Sequence, residues 1–320
     1  MITLDNDQVR KNLPWPRLVA AIAQALRDGS AGVPARSSFE LADRDGSASG
    51  HLLIMPAWIG DEMIGMKTVT YWPDNPHSGL PSHCANYILM QARTGEILAV
   101  LEGEELTVRR TAAVSVIAAM RLMRGDVRRL LIVGAGPIAA SLAEAYSAFH
   151  DFDSIDVYAR RRDRAEALIA DLAGKGLIAK VCDNLQAAVE RADVISMATS
   201  AREPVLKGAW IAPGTHIDLV GSFTPQMRET DDELVRRADA IWIDTDVALS
   251  ESGDLTQPMA TGVLRASAVK GNLERLLGSG FTRRPEDITV FKAVGFGLTD
   301  LAAARCALAG AEQPQVQLSA

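Results

Sequence analysis

From Val127 onward the chain alternates two kinds of hydrophobic pattern. Short, uninterrupted apolar runs are separated by longer segments whose apolar positions recur at helical spacing: "RLLIVGAG", a helix to His150, "SIDVYAR", a helix to Ala173, "AKVCD", a helix to Arg191, then "DVISMATS", "THIDLVG" and "DAIWIDT". Strands that are apolar at every position are buried on both faces, and intervening helices provide the cover, so this region predicts a doubly wound parallel sheet. The first third follows other rules. "WPRLVAAIAQALRDG" has helical spacing, with Pro16 in a first turn and Gly29 as a stop. Strand-like runs follow: "GHLLIMPAW", "EMIGMKTVTYW", "ANYILMQA" and "EILAVLE", the last two joined by the hairpin signal "RTG". "LTVRRTAAVSVIAAMRLM" reads as a helix with Thr107 as its N-cap. The tail, "TVFKAVGFGLTDLAAARCALAG", offers a short strand and a helix, which is expected to return to the first region because a terminal helix needs an apolar surface. The expected domains are residues 1–124 with 296–320, and residues 125–295.

Composition narrows the function classes. At 320 residues and 48% hydrophobic content the chain can bury a large core. A net charge of −7 argues against a nucleic-acid or anionic-membrane surface. The start, "MITLDNDQVRKNLPWPRL", lacks the apolar run of a signal peptide, and no stretch approaches the roughly 20 apolar residues of a membrane span. The 3 cysteines have no metal-type spacing and suit reduced thiols, so a cytoplasmic location is expected. His77, His83 and His216 have no partners at metal-ligand spacing, and no metal site is expected.

Gly134-Ala135-Gly136-Pro137-Ile138-Ala139 fits G-x-G-x-x-G/A between an apolar run and a helix. Gly134 permits the tight turn, Gly136 lets the backbone approach a pyrophosphate, and Ala139 lets helix and strand pack closely. The helix N-terminus adds free N–H groups and partial positive charge. Many dinucleotide sites carry an acid at the end of the next strand, for the adenosine ribose. Here that strand ends in Arg160, Arg161 and Arg162. An acid would repel a ribose 2′-phosphate, whereas arginine presents a fork of donors to phosphate oxygens. Arg160 and Arg161 therefore point to NADPH, with NADH as the alternative. Arg162 reads as surface, and a solvated basic helix start remains the other reading of all three. Thr199 and Ser200 fall at the end of "DVISMATS", where cofactor crevices lie, although a plain tight loop explains them almost as well.

Three basic positions in the first region stand out. Lys67 lies in a strand-like run, where lysine is depleted; it is either an edge-strand lysine that blocks aggregation or a functional group. Arg36 lies in "GVPARSSFE", between a helix and a strand. Arg109 and Arg110 are expected in the first turn of the "LTVRRTAAVS" helix, on the unfavourable end of its dipole unless they share an anion with its N–H groups.

With these residues identified, the whole chain resembles the ornithine cyclodeaminase/μ-crystallin family. The likeness rests on "PARSSF", "MKTVTYWPDNP", "GLPSH", "TGEILAVLEGEELTVRRTAAVSVIAA", "IVGAGPIAAS", "VGSFTPQMRE" and "VFKAVGFGLTDLAAA", in that order. It implies an α/β fold, with a Rossmann doubly wound parallel sheet plus a mixed α+β substrate and dimerisation domain, assembled as a homodimer. It also implies that a substrate carboxylate is held by Arg36, Lys67 and Arg110. By the same resemblance Arg110, Thr111, Pro137, Ile138 and Val220 join the glycines, Arg160, Arg161, Thr199 and Ser200 around the cofactor.

Two departures from the family pattern bear on activity. Ornithine cyclodeaminases carry an aspartate in a "VGGD"-type loop; this loop reads Val220-Gly221-Ser222-Phe223, with Phe223 in the aspartate's place. The family's acid before "MP" is absent too, since the chain has Leu53-Ile54-Met55-Pro56. A site for a second ammonium group should not lack both carboxylates. "GSFTPxMRE" is instead similar to the family's cyclic imine reductases. The expected activity is NAD(P)H-dependent reduction of Δ1-pyrroline-2-carboxylate to L-proline, and of the six-membered analogue Δ1-piperideine-2-carboxylate to L-pipecolate. Lys67 would be the catalytic proton donor and Phe223 would cover the ring carbons. An alanine-type dehydrogenase, an ornithine cyclodeaminase-type lyase and a non-catalytic NADPH-dependent binding protein are the alternatives.

Overall fold

The computed structural model describes residues 1–42, 48–72 and 74–312. The chain opens with strand β1 (Ile2–Leu4) and helices α1 (Asn6–Asn12) and α2 (Trp15–Asp28). Asp5 caps α1 through a reciprocal capping box with Gln8, and Gly29 ends α2 in the left-handed conformation at φ 62°. Six strands follow: β2 (Ala31–Gly32), β3 (Ser37–Ala42), β4 (Ala48–Ile59), β5 (Met63–Tyr71), β6 (His83–Gln91) and β7 (Ile97–Glu102). Strands β4 to β7 form an antiparallel meander, extended by β1 parallel to β7 and by β2 and β3, both antiparallel to β4.

Helix α3 (Gly103–Leu122) begins directly after β7. Thr107 therefore lies inside the helix and is not its N-cap, which corrects the sequence expectation. Glu104 and Glu105 carry the helix one turn further back, as acids at an N-terminus favour. The Glu104 carboxylate accepts the Ala85 N–H at 2.7 Å, and the Asn6 side chain accepts the Glu105 N–H at 2.9 Å. Arg109 and Arg110 consequently sit beyond the first turn, and the dipole argument does not apply to them.

The remaining elements are β8 (Arg129–Val133), α4 (Pro137–Phe149), β9 (Ser154–Tyr158), α5 (Arg162–Gly174), β10 (Ala179–Val181), α6 (Leu185–Arg191), β11 (Val194–Met197), β12 (His216–Leu219), α7 (Asp232–Arg237), β13 (Ala240–Ile243), α8 (Ala248–Glu251), α9 (Gly253–Ala260), β14 (Val269–Gly271), α10 (Leu273–Gly278), β15 (Thr289–Lys292) and α11 (Gly297–Glu312). The chain forms two compact units, Met1–Arg110 with Phe296–Ala320, and Thr111–Gly295; the division falls within α3.

In the second unit eight parallel strands run in the order β10-β9-β8-β11-β12-β15-β13-β14. Leu131, Ile195, Ile217, Ile241 and Val290 form the middle of its core, as expected of strands buried on both faces. The strand of the tail, β15, belongs here, wedged between β12 and β13. Only the helix of the tail, α11, returns to the first unit. Its small side chains allow close packing on the meander: a Cβ on Gly297 would stand 2.8 Å from the Pro56 carbonyl. Leu298, Leu301, Ala303, Ala304 and Leu308 are buried.

Among the described residues no helix is long and apolar enough to cross a membrane.

Candidate functional site

In the first unit, chemistry gathers around Lys67. Strand β5 is hydrogen-bonded on one side to β4 and on the other to β6, so Lys67 is on an interior strand and not on an edge. It is 2% exposed. An interior lysine must be paired or neutral, and its partner comes from the far end of the chain. Both carboxylate oxygens of Asp300, on α11, lie 2.9 Å from Nζ. The same carboxylate accepts a 2.9 Å hydrogen bond from Arg110 Nε. One buried anion is thus divided between two buried cations. Burial pulls the Lys67 ammonium down to about 8; Asp300 holds it up, and Arg110 and Arg36 push it down. Arg36, half-buried in the segment before β3, is therefore within electrostatic reach of Lys67.

Tyr87 is the strand partner of Lys67 and is fully buried. A Cβ on Gly65 would lie 1.9 Å from its hydroxyl, so the missing side chain at 65 makes room for the ring. Burial, reinforced by Asp300, raises its pKa well above the usual tyrosine range. It stays neutral and adds no charge to the cluster.

Arg109, adjacent to Arg110, is structural. Its guanidinium donates twice to the Leu13 carbonyl, at 3.1 and 2.9 Å, and stacks 3.9 Å from the centre of the Trp15 ring. The arginine placed in the cluster is Arg110.

In the second unit the glycine turn leaves β8 at the point where strand order reverses, between β8 and β11. Crevices for nucleotides form there. Gly134 has φ 130°, and a Cβ on it would stand 2.3 Å from the Ala198 carbonyl at the end of β11. Only glycine permits that approach. Gly136 contrasts with it: it caps α4 with φ −95°, and an added Cβ would meet nothing within 4 Å. The open space over Gly136 lies at the head of a 13-residue helix, where free N–H groups favour an anion. Pro137 is exposed at the first helical position, Ile138 is half-buried and Ala139 is packed against the sheet. These residues suit a dinucleotide pyrophosphate.

The arginines after β9 divide. Arg162 is committed to Glu166 and Asp183. Arg161 precedes α5, with Nε 3.9 Å from Asp163. Arg160 is exposed and makes no ion pair or side-chain hydrogen bond among the described residues. Thr199 is half-buried and Ser200 exposed at the end of β11, and Val220 is buried at the end of β12, its N–H bonded to the Met197 carbonyl at 2.9 Å. Thr111 is buried on α3, and Phe223 is 44% exposed in the loop after β12.

Two residues of this chemistry escaped the sequence reading. Asp300 is an acid inside the apolar, small-residue run "GLTDLAAA", and Glu229 ends "TPQMRE" yet is fully buried. An acid within an otherwise apolar helix was the available signal for Asp300.

The chain matches the model of the ornithine cyclodeaminase/mu-crystallin family over residues 2–313. It is 40% identical over 260 residues to a Delta(1)-pyrroline-2-carboxylate reductase of Paracoccus denitrificans, covering 80% of this chain and 82% of that protein. Among solved structures, the Delta(1)-pyrroline-2-carboxylate reductase of Thermococcus litoralis in complex with NADH and L-proline superimposes with a TM-score of 0.90 at 31% identity, covering 97% of each chain. An archaeal alanine dehydrogenase dimer with bound NAD does so with a TM-score of 0.88 at 28% identity, covering 97% of this chain and 96% of that one.

Proposed function

Because the chain belongs to the ornithine cyclodeaminase/mu-crystallin family, we propose that it is an oxidoreductase acting on a carbon–nitrogen double bond, a reductase of cyclic imino acids. Its substrates would be Δ1-pyrroline-2-carboxylate, yielding L-proline, and the six-membered analogue, yielding L-pipecolate. The observation that carries this reading is the buried cluster of Lys67, Arg110 and Asp300, in which two cations share one carboxylate. Such a cluster favours a further anion, and the carboxylate of an imino acid is one. Arg110 and Arg36 would hold that carboxylate and set the ring face. Lys67, brought down to about 8, can give a proton to the ring nitrogen near neutral pH and recover it from solvent. Phe223 would cover the ring carbons, leaving no carboxylate there for a second ammonium group.

A bound nicotinamide cofactor would supply the hydride to C2. Gly134, Gly136, Pro137 and Ile138 would bind its pyrophosphate, with Arg110, Thr111, Thr199, Ser200 and Val220 along its remaining length. Arg160, which makes no ion pair or side-chain hydrogen bond among the described residues, and Arg161 would take the 2′-phosphate of NADPH. The Thermococcus litoralis relative was solved with NADH, so NADH is the competing cofactor. We further propose a homodimer. Phe39 on β3 is 50% exposed and Trp58 on β4 is 43% exposed, apolar surface that a second copy would cover.

The deciding experiment follows oxidation of NADPH, and separately of NADH, with Δ1-pyrroline-2-carboxylate. Rapid turnover that prefers NADPH supports the reading, and absence of turnover with both cofactors defeats it. The likeness to an alanine dehydrogenase supports one second reading, reductive amination, which pyruvate with ammonia would reveal. Lys67→Ala and Arg110→Ala should each lower kcat/KM at least about 100-fold.

A further inference from the structure

We infer that Glu229 is a positioning residue, a buried carboxylate that clasps the loops after β11 and β12 in the shape that receives the nicotinamide half of the cofactor. The inference rests on the dinucleotide reading of the second unit. It is not implied by the glycine turn, which serves the pyrophosphate between the two halves of the cofactor.

The clasp is visible atom by atom. Glu229 Oε1 accepts the N–H and the hydroxyl of Thr199, each at 2.8 Å. Its Oε2 accepts the N–H of Gly221 at 2.7 Å and of Ser222 at 3.3 Å. One side chain therefore ties the end of β11 to the end of β12. The two loops touch so closely that a Cβ on Gly221 would stand 2.0 Å from the Thr199 carbonyl and 2.4 Å from Glu229 Oε1. Glu229 is itself anchored from behind, because its N–H donates to Asp254 Oδ1 at 2.7 Å and Asp254 Oδ2 lies 3.2 Å from Lys292 Nζ. All three residues are 0–1% exposed.

Four donors converge on two oxygens, and only the carboxylate form can accept from all of them. A proton on either oxygen would face an N–H or O–H and break at least one contact. Burial makes that proton accessible. Burial raises Glu229 to about 7; Lys292 on β15 opposes the rise and Asp254 on α9 adds to it. Asp218 on β12, the other carboxylate near Lys292, is raised to about 6 chiefly by burial. With three carboxylates around one lysine, full ionisation leaves net negative charge in a dry interior. Protonation of Glu229 would open the clasp.

The test measures the affinity of Glu229→Gln and wild type for NADPH and for adenosine 2′,5′-bisphosphate, which reports on the other half of the site, between pH 6 and 8. The amide keeps the volume but directs an NH2 at donors. The expected result is NADPH binding weakened on the order of tenfold, the size of a lost charge-assisted contact, with bisphosphate binding changed less than about twofold. The 5′-phosphate of the bisphosphate titrates in this range whereas the pyrophosphate of NADPH does not, so the ratio of the two affinities is compared between proteins: relative to the variant, the wild-type ratio should fall as pH drops through about 7. The titrations of the ligands are the same for both proteins and cancel in that comparison. If Glu229→Gln does not fold, Gly221→Ala, which pushes the two loops apart, should give the same selective loss. Equal losses for the two ligands, no loss, or parallel pH profiles would overturn the clasp. A wild-type protein that binds neither ligand would overturn the dinucleotide reading, and the clasp with it.

Discussion

Lys67 and Asp300 are 233 residues apart in the chain and form a 2.9 Å ion pair in which the two side chains are 2% and 0% exposed. A buried pair of this kind contributes little net stability, yet removing one member strands the other in a dry interior. Asp300→Asn should therefore lower unfolding stability by about 3 kcal/mol, measured by denaturant titration. It should also change catalysis. If Lys67 donates the proton, the rate falls as pH rises through about 8. Asp300 holds that value up, so in Asp300→Asn the alkaline limb should move to lower pH. An unmoved limb would take the proton-donor role from Lys67.

The two glycines of the turn should respond differently to alanine. Gly134→Ala forces a Cβ against the Ala198 carbonyl at φ 130°, and should cost about 1–3 kcal/mol of stability. Gly136→Ala meets nothing, and should change stability by less than about 1 kcal/mol while weakening NADPH binding. Thermal melts with and without NADPH separate the effects, and a Gly136→Ala protein with wild-type affinity would remove Gly136 from the pyrophosphate site.

Arg160→Ala and Arg161→Ala should each reduce the NADPH-to-NADH preference by about tenfold, the value of one charge-assisted contact. Arg162→Ala should leave it unchanged, since that guanidinium is engaged by Glu166 and Asp183. The comparison needs only kcat/KM for the two cofactors. Equal preference in all three variants would return these arginines to the solvent.

His216 is fully buried at the start of β12, and burial, aided by Arg283, depresses its pKa to about 3. Unfolded, it would titrate near 6.5. Between those values the unfolded chain binds the extra proton, so this residue destabilises the fold progressively as pH falls from about 6.5 towards 3. Asp218 and Glu229, with raised values, act in the opposite sense. The measurement is thus a difference: His216→Asn should gain on wild type by up to about 1.4 kcal/mol per pH unit across that window. A constant difference would mean that His216 is not buried as the neutral base.

The parts of the fold readable from sequence were those encoded by neighbours. Unbroken apolar runs announced β8, β9, β11, β12 and β13, and Gly134 and Gly136 announced the turn, because each signal lies within a few residues. Ser/Thr capping preference puts a helix start at Thr107, but Glu104 and Glu105 find partners on β6 and α1 that no local pattern reveals. Strand β15 falls within the expected residues 125–295, but its place between β12 and β13 depends on pairings that no local pattern reveals. At the site, Lys67 was conspicuous as a charge in a strand. Its interior position, and its partner Asp300, depended on pairings between segments far apart in the chain. The role of Glu229 depends on four donors from two loops that meet only in the fold.

The discontinuity of the first unit also orders events during synthesis. The ribosome makes β1 to β7 first, then all of Thr111–Gly295, and only afterwards α11. Until Gly297–Glu312 emerges, the meander lacks the helix that covers it, and Lys67 and Arg110 lack the carboxylate they share. The uninterrupted second unit can fold while the first waits. A nascent chain stalled before Phe296 would thus carry every residue of the second unit and a meander still without α11.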